Sequence, residues 1–164
     1  MASIRPLKII SGGQTGVDQI ALELAEEYGL LTGGMMHKGW LTLEGPRPEF
    51  EQRFGMRECP VTGYPARTML NVRDSHVTLW FGEDSRGRIC TWKACKTLKK
   101  DFVHGDIVTI ESLLRQLRLR AHMYEGDVGP MILNVAGTRY RNSRGGDAAD
   151  PFLRKFIDWY RLWL

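Results

Sequence analysis

The sequence lacks the long apolar runs and the cysteine patterns that define several classes of protein. No stretch of its 164 residues approaches the ~18 consecutive apolar residues of a membrane-spanning helix, so we expect no membrane segment. The N-terminus has neither an apolar core nor a cleavage signal, which argues against a secretory leader. Cys59, Cys90 and Cys95 are odd in number and lack metal-ligand spacing. These absences predict reduced thiols, no metal site and a cytoplasmic protein.

A strong charge of one sign is missing as well. The formal net charge is +4 at pH 7, with 26% charged and 43% hydrophobic residues, which is typical of an ordinary folded domain and suits a small anionic ligand. A predicted helix over residues 111–123 has a basic face, but it lacks the interleaved exposed aromatic residues of a nucleic-acid-binding surface. We therefore expect no nucleic-acid partner, and a single domain over residues 1–164.

The first 29 residues predict a strand, a glycine-rich turn and a helix in direct succession. The apolar run Leu7–Ile10 is rich in β-branched residues, as in buried parallel strands. Residues 11–16 read Ser-Gly-Gly-Gln-Thr-Gly, and helical apolar spacing then runs from Val17 until Gly29 ends the helix. Such a turn leaves amide groups unpaired at a helix N-terminus, where a phosphate or carboxylate binds readily.

The spacing of the glycines excludes two common phosphate-binding loops. Gln14 interrupts a Gly-x-Gly-x-x-Gly pattern, and no Gly-Lys-Ser/Thr of a P-loop follows. Gly12 and Gly13 allow close approach of a ligand, and we expect Thr15 to cap the helix. Asp18, in the first helical turn, would repel a bare phosphate, so it is expected to contact a ribose hydroxyl or a base edge. The alternative is a tight turn with a satisfied cap and no ligand.

The remainder of the chain alternates predicted strands and helices. Strands are predicted over residues 30–36, 76–82, 102–110 and 129–137, and helices over 65–73, 89–100, 111–123 and 151–164. Residues 37–63 show no steady period; they are interpreted either as a lid over a site or as a surface insertion with an aromatic cluster of Trp40, Phe50 and Phe54. The alternation predicts an α/β fold with a doubly wound, mainly parallel sheet of about five strands.

Right-handed crossovers would bring the loops that follow the strands to one edge of the sheet. The loops at 11–16, 33–40, 82–91 and 137–146 would place glycines, hydroxyls, Lys38 and arginines there, which predicts a site for an anionic ligand. Asn71, Arg73 and Asp74 precede a strand and would lie at the opposite edge. We expect them to cap their helix and to pair with one another.

Several motifs together resemble a known family. Residues 10–18 (Ile-Ser-Gly-Gly-Gln-Thr-Gly-Val-Asp), 38–39, 44–46, 67–68, 71–75 and 133–137 (Leu-Asn-Val-Ala-Gly) are similar, in order, to the putative molybdenum carrier family. That family is the circularly permuted, YpsA-related branch of the SLOG, or lysine-decarboxylase-like, Rossmannoid superfamily. The resemblance covers nearly the whole chain. It implies a Rossmann-like sheet, a ligand pocket at the glycine loops, and a homodimer or higher homo-oligomer.

The resemblance also implies a range of functions. SLOG relatives bind nucleotides or nucleotide-derived signals, lysine-decarboxylase-like members release a base from a nucleoside monophosphate, and molybdenum cofactor carriers of similar fold bind a pterin phosphate. Two segments depart from the family pattern. Residues 85–91 replace a Gly-Gly-Thr-like turn and add two arginines, and residues 137–143 keep Arg139 but lack an acidic residue. The second departure weakens an enzymatic assignment.

The leading hypothesis is binding of a phosphate-bearing, nucleotide-like small molecule, with a molybdenum cofactor as a special case. The rival is a nucleoside-phosphate N-glycosidase or phosphohydrolase, for which Asp18, Asp74 and Glu44 are the candidate carboxylates. A third hypothesis is a non-catalytic scaffold with a vestigial pocket. The expected ligand-binding residues are Gly12, Gly13, Gln14, Thr15, Gly16, Asp18, Lys38, Gly39, Arg88, Thr91, Asn134, Gly137, Arg139 and Ser143.

Overall fold

The computed structural model describes residues 5–83, 85–123 and 129–162. Residue 84 of the predicted loop 82–91 and residues 163–164 of the predicted last helix lie outside the described residues. The strands are β1 (Leu7–Ile10), β2 (Leu31–Gly33), β3 (Met35–Met36), β4 (Leu41–Thr42), β5 (Gly45–Pro46), β6 (Arg57–Glu58), β7 (Val77–Phe81), β8 (Asp101–His104) and β9 (Met131–Gly137). The helices are α1 (Val17–Glu27), α2 (Phe50–Phe54), α3 (Tyr64–Arg73), α4 (Arg86–Leu98), α5 (Ile110–Met123) and α6 (Arg144–Leu162), with a short 3₁₀ turn at Lys38–Trp40.

The central feature is a five-stranded parallel sheet with the strand order β2-β1-β9-β7-β8. All of its strand pairs run parallel, with β9 between β1 and β7. Helices α1, α5 and α6 pack on one face over the main apolar core, whereas α3 and α4 pack against each other over the smaller cluster of Val72, Ala94 and Cys95. Every residue of β7 is buried, as expected for a central strand covered on both faces. The predicted Rossmann-like, doubly wound α/β fold is confirmed.

The predicted second strand, 30–36, is wrong in its extent. The chain leaves the main sheet after Gly33, and Met35–Met36 pairs instead with β6 in a separate two-stranded sheet. Gly34 makes this break because its φ is 121°, a conformation that side-chain-bearing residues rarely adopt. A Cβ at Gly34 would also overlap the carbonyl oxygen of Ser11. The turn therefore brings the following segment against the end of β1.

Residues 37–63 contain short elements that the sequence did not predict, namely the β4–β5 hairpin, α2 and β6. Phe50 and Phe54 are buried with Met36 and Met56 against Leu22 of α1, and Trp40 packs on this cluster. The aromatic cluster of the surface-insertion interpretation is thus present. It anchors the segment to α1.

Three other strand and helix boundaries differ from the predicted ones because of local hydrogen bonds. The predicted strand 102–110 ends at His104 because the chain turns there, with the His104 carbonyl accepting the N–H groups of Ile107 at 3.1 Å and Val108 at 3.0 Å. Helix α4 begins at Arg86 because the Ser85 hydroxyl accepts the Arg88 N–H at 3.1 Å. Helix α6 begins well before the predicted start at residue 151 because the Ser143 hydroxyl accepts the Gly146 N–H at 3.1 Å.

A separate observation concerns membranes. None of the helices in residues 5–83, 85–123 and 129–162 combines the length and apolarity that crossing a membrane requires.

The turn at Gly34 predicts a large loss of stability in Gly34→Ala. Gly29→Ala is the matched control, because Gly29 also has a positive φ, 67°, but no atom lies within 4 Å of the added Cβ. We expect Gly34→Ala to lower the free energy of unfolding by about 2 kcal/mol or more beyond the control, since it adds a backbone clash to the strain that both share. Urea denaturation measures the difference. Equal losses in the two variants would contradict this account of the turn.

Candidate functional site

The candidate site is a small cleft of about 70 Å³ at the carboxyl ends of β1, β9 and β7. Helix α1 leaves β1 toward one face of the sheet, and α4 leaves β7 toward the other. The cleft therefore lies where the connections diverge, which is the place at which open parallel sheets bind ligands. Its walls come from the glycine loop, the start of α3, the first turns of α4 and the loop after β9.

Some amide groups of the glycine loop bind groups of the protein itself. The Gln14 N–H donates to Oδ2 of Asp18 at 3.2 Å, and the Gly12 amide lowers the pKa of the same carboxyl. The Gly13 N–H donates to the Ser11 hydroxyl at 3.1 Å, and the Val17 N–H donates to the Thr138 carbonyl at 3.1 Å. Asp18 thus supplies an internal anion at the N-terminus of α1, where the predicted external anion was expected.

The predicted cap at Thr15 is wrong. The N-cap residue of α1 is Gly16, with φ 97°, and no side chain caps the helix. The Thr15 hydroxyl is buried and has no hydrogen-bond partner among the described residues. Close packing explains the arrangement, because a Cβ at Gly16 would overlap the Thr138 carbonyl oxygen. The helix is entered through a glycine backbone instead of a capping hydroxyl.

Arg67 of α3 lines the cleft, although it was not among the predicted binding residues. Its Nη1 donates to the Gly12 carbonyl at 3.0 Å and lies 3.8 Å from Oδ2 of Asp18. Its Nε is buried without a partner in the described part of the chain. A side chain at Gly12 would collide with the guanidinium. Gly12 is therefore needed to let an arginine from α3 reach the glycine loop.

Two arginines face the same aromatic ring at the start of α3. The Arg139 guanidinium lies 4.3 Å from the centre of the Tyr64 ring, and that of Arg67 lies 5.5 Å from it. Both distances fall within the range of favourable cation–π contact. The Arg139 guanidinium makes no hydrogen bond or ion pair to another described residue. Its five donors are therefore not used within that part of the chain.

Burial controls the protonation of the Asp18 carboxyl, which is only 5% exposed. Desolvation raises its pKa from 3.8 to about 6, although Arg67, the bonded amides and Arg139 act in the opposite direction. Burial has the opposite effect on Arg67, whose pKa it lowers, because in both residues burial disfavours the charged form. Asp18 therefore changes charge closer to neutral pH than an exposed aspartate, and it does so inside the cleft.

Comparison with known proteins identifies the family of the chain. The chain matches the model of the circularly permutated YpsA SLOG family over residues 9–157. The chain belongs to this family. The crystal structure, at 1.45 Å resolution, of a "Putative molybdenum carrier protein" from Syntrophus aciditrophicus SB is similar, with 31% sequence identity and a TM-score of 0.73 over 93% of this chain and 97% of that chain. A comparison with curated proteins found no match. The family resemblance drawn from the motifs is confirmed.

Half of the predicted binding residues line the cleft of this SLOG protein. These are Gly12, Gln14, Asp18, Thr91, Asn134, Gly137 and Arg139. Four of them have side-chain hydrogen bonds to protein neighbours. Asp18 accepts the Gln14 N–H, Gln14 Nε2 donates to the Leu41 carbonyl at 2.9 Å, Asn134 Nδ2 donates to the Thr78 hydroxyl at 3.2 Å, and the Thr91 hydroxyl donates to the Gly87 carbonyl at 2.9 Å. Several other residues that line the cleft were not predicted from the sequence. They include Tyr64, Arg67, Thr68, Trp80 and Cys90.

The other predicted residues do not line this cleft, and a role for them in ligand binding stays a prediction. The Gly39 N–H donates to Oε2 of Glu58 at 3.0 Å, and Lys38 beside it is exposed. Ser143 caps α6, and the Arg88 amide is bonded to Ser85. The remaining three belong to the glycine loop: Gly13, Thr15 and Gly16.

The candidate carboxylates other than Asp18 also lie outside the cleft. Glu44 is 3.5 Å from Arg47, and Asp74 pairs with Arg73 at 2.7 Å, as the sequence predicted. Asn71 does not join that pair, and it lines the cleft instead of lying at the opposite edge of the sheet, so the prediction for it is wrong. Its Oδ1 accepts the Met35 N–H at 2.8 Å and its Nδ2 donates to the Met35 carbonyl at 3.2 Å, because β3 runs alongside α3.

The raised pKa of Asp18 predicts that stability falls as the pH rises. Between the unfolded value, 3.8, and the folded value, about 6, the folded state binds more protons than the unfolded state. The free energy of unfolding therefore decreases with pH through this window, by about 3 kcal/mol at most. We expect Asp18→Asn to remove this slope between pH 4 and 6 in urea unfolding. The control Asp74→Asn should retain it, and parallel curves for wild type and Asp18→Asn would refute the assignment.

Proposed function

We propose that this protein binds a small molecule that combines a phosphate-like anion with a planar ring, in the manner of a nucleotide. The observation that carries the proposal is the Arg139 guanidinium, which is stacked on Tyr64 at the cleft and has no anionic partner among the described residues. A guanidinium oriented by an aromatic ring suits bidentate binding of a phosphate. We infer that Arg139 binds the anion of the ligand.

The anion is best placed at the arginine side chains, because the Gln14 amide already binds Asp18 and the Gly13 amide already binds Ser11. Arg67 adds positive charge, but its Nη1 already donates to Gly12. The Tyr64 ring, which is 37% exposed in the same cleft, would contact the ring of the ligand. Polar lining at Thr68, Thr91 and Asn134 would then contact a sugar or the edge of the ring.

Carriage of a molybdenum cofactor is a special case of the same proposal. The relative from Syntrophus aciditrophicus SB is named as a molybdenum carrier, and a pterin phosphate joins an anion to a planar ring. The described residues contain no group of three or more His, Cys, Asp or Glu side chains that could hold a metal ion. A molybdenum-bearing cargo would therefore be bound through its phosphate and ring. Family resemblance further supports a homodimer or higher homo-oligomer as part of this proposal.

Replacement of Arg139 tests the binding proposal directly. We expect Arg139→Gln to weaken binding of AMP or GMP by about 10- to 100-fold, the effect of losing hydrogen bonds to a charged group. Isothermal titration calorimetry measures the affinities. The case of a bound molybdenum cofactor is tested separately, by the molybdenum content and the absorbance spectrum of the protein as purified. Arg53→Gln is the control, because Arg53 pairs with Glu26 outside the cleft. The proposal fails if no anionic ligand binds, or if Arg139→Gln binds as wild type does.

A second candidate function is release of a base from a nucleoside monophosphate. Asp18 favours it, because a cleft carboxyl with a pKa of about 6 can take up or release a proton near neutral pH. Such a carboxylate could also stabilise an oxocarbenium-like centre.

Incubation with nucleoside monophosphates distinguishes catalysis from binding alone. If the protein is an N-glycosidase, chromatography will detect free base, and Asp18→Asn will reduce its formation by at least about 100-fold, as expected for loss of general acid–base catalysis. Asp74→Asn is the control and should retain the rate, since Asp74 pairs with Arg73 outside the cleft. Absence of free base with tight binding of the intact nucleotide would leave the binding function alone.

A further inference from the structure

We propose that the ligand extends past Arg139 into a second pocket, so that it has two ring-bearing halves joined by an anionic link, as in a pyrophosphate-linked dinucleotide. This inference rests on the proposed function and specifies the class of ligand. It comes from a second cavity that adjoins the cleft and shares one residue, Arg139, with it.

The second pocket lies between three segments that are distant in sequence. It is an open pocket of about 510 Å³, and its walls are Thr15 of the glycine loop, Leu43 and Glu44 of the β4–β5 turn, and residues 139–142 after β9. Arg139 lines both this pocket and the cleft. A ligand that fills both cavities must therefore pass this side chain.

Charge at the boundary favours an anionic group there. Arg141 also lines the second pocket, but Glu23 pairs with it at 2.6 Å and Gln19 accepts from it at 3.4 Å. Arg139 makes no such bond to another described residue, and its guanidinium lies 4.3 Å from the centre of the Tyr64 ring. A planar guanidinium can donate to two neighbouring phosphate oxygens at once. The anionic middle of an extended ligand would satisfy Arg139.

The far end of the second pocket suits a ring better than another phosphate. Leu43 is 53% exposed and Tyr140 is 67% exposed, although both are large and apolar. A planar group between them would remove apolar surface from water. The Glu44 carboxylate in the same wall would repel a terminal phosphate. The distal half of the ligand is therefore expected to be an uncharged nucleoside-like group.

The β4–β5 hairpin is held in place for such a contact. Gln14 Nε2 donates to the Leu41 carbonyl at 2.9 Å, which ties the hairpin to the glycine loop. Within the hairpin, the Thr42 hydroxyl donates to the Gly45 carbonyl at 2.8 Å. These bonds fix the position of Leu43 before a ligand arrives, which lowers the entropic cost of binding.

Calorimetry with AMP, GMP and their symmetric pyrophosphate-linked dinucleotides tests the inference. In wild type we expect the dinucleotide to bind at least about tenfold more tightly than the matching mononucleotide, the gain from burying a second ring. The double variant Leu43→Ala/Tyr140→Ala should reduce that ratio to near one while leaving the mononucleotide affinity unchanged. Leu119→Ala, at a leucine 60% exposed on α5, is the matched control and should preserve the ratio.

The outcomes separate this inference from the function on which it rests. If neither class of nucleotide binds, the proposed function fails and the second subsite fails with it. If mononucleotides bind but the dinucleotide gains nothing, or if its advantage survives in the double variant, only the second subsite is overturned. Loss of the advantage in Leu43→Ala/Tyr140→Ala, with retention in Leu119→Ala, supports the subsite.

Discussion

The geometry of the cleft depends on one buried carboxylate, that of Asp18. It accepts amide hydrogens from the glycine loop that precedes its own helix, and it lies beside the guanidinium of Arg67. The loop could not close in this way around an external phosphate, because the two anions would repel each other. Asp18 thus stabilises the conformation of the loop through a hydrogen bond within the protein. In the proposed function, an external anion binds to arginine side chains instead of the loop.

Direction of the helices explains which side chains meet at this carboxylate. Helix α3 leads into β7 and so runs antiparallel to the strands, which places its first turns at the carboxyl edge and its last turn at the opposite edge. Tyr64 and Arg67 therefore line the cleft, whereas Arg73 and Asp74 pair far from it. The N-terminal turns of α3 therefore contribute to the cleft, and its C-terminal turn forms an ion pair outside the cleft.

The insertion between β2 and α3 forms part of the second pocket, which adjoins the cleft. Its buried aromatic residues pack on α1, and its hairpin is bonded to Gln14, so both anchors connect it to the strand–loop–helix unit at the start of the chain. This contact forms the wall that Leu43 and Glu44 contribute to the second pocket. The sheet that carries these walls has the fold of the similar structure from Syntrophus aciditrophicus SB.

Local pattern alone determined the strand–loop–helix start, the five parallel strands and the location of half of the candidate site. Apolar periodicity and glycine spacing report on backbone conformation within a few residues, and parallel connectivity then places the loops at one edge. Only the tertiary structure decided that the loop amides would bind Asp18, that Arg67 would reach Gly12, and that Arg139 would stack on Tyr64. Those contacts join residues far apart in the chain and depend on burial and packing, which a linear pattern does not contain.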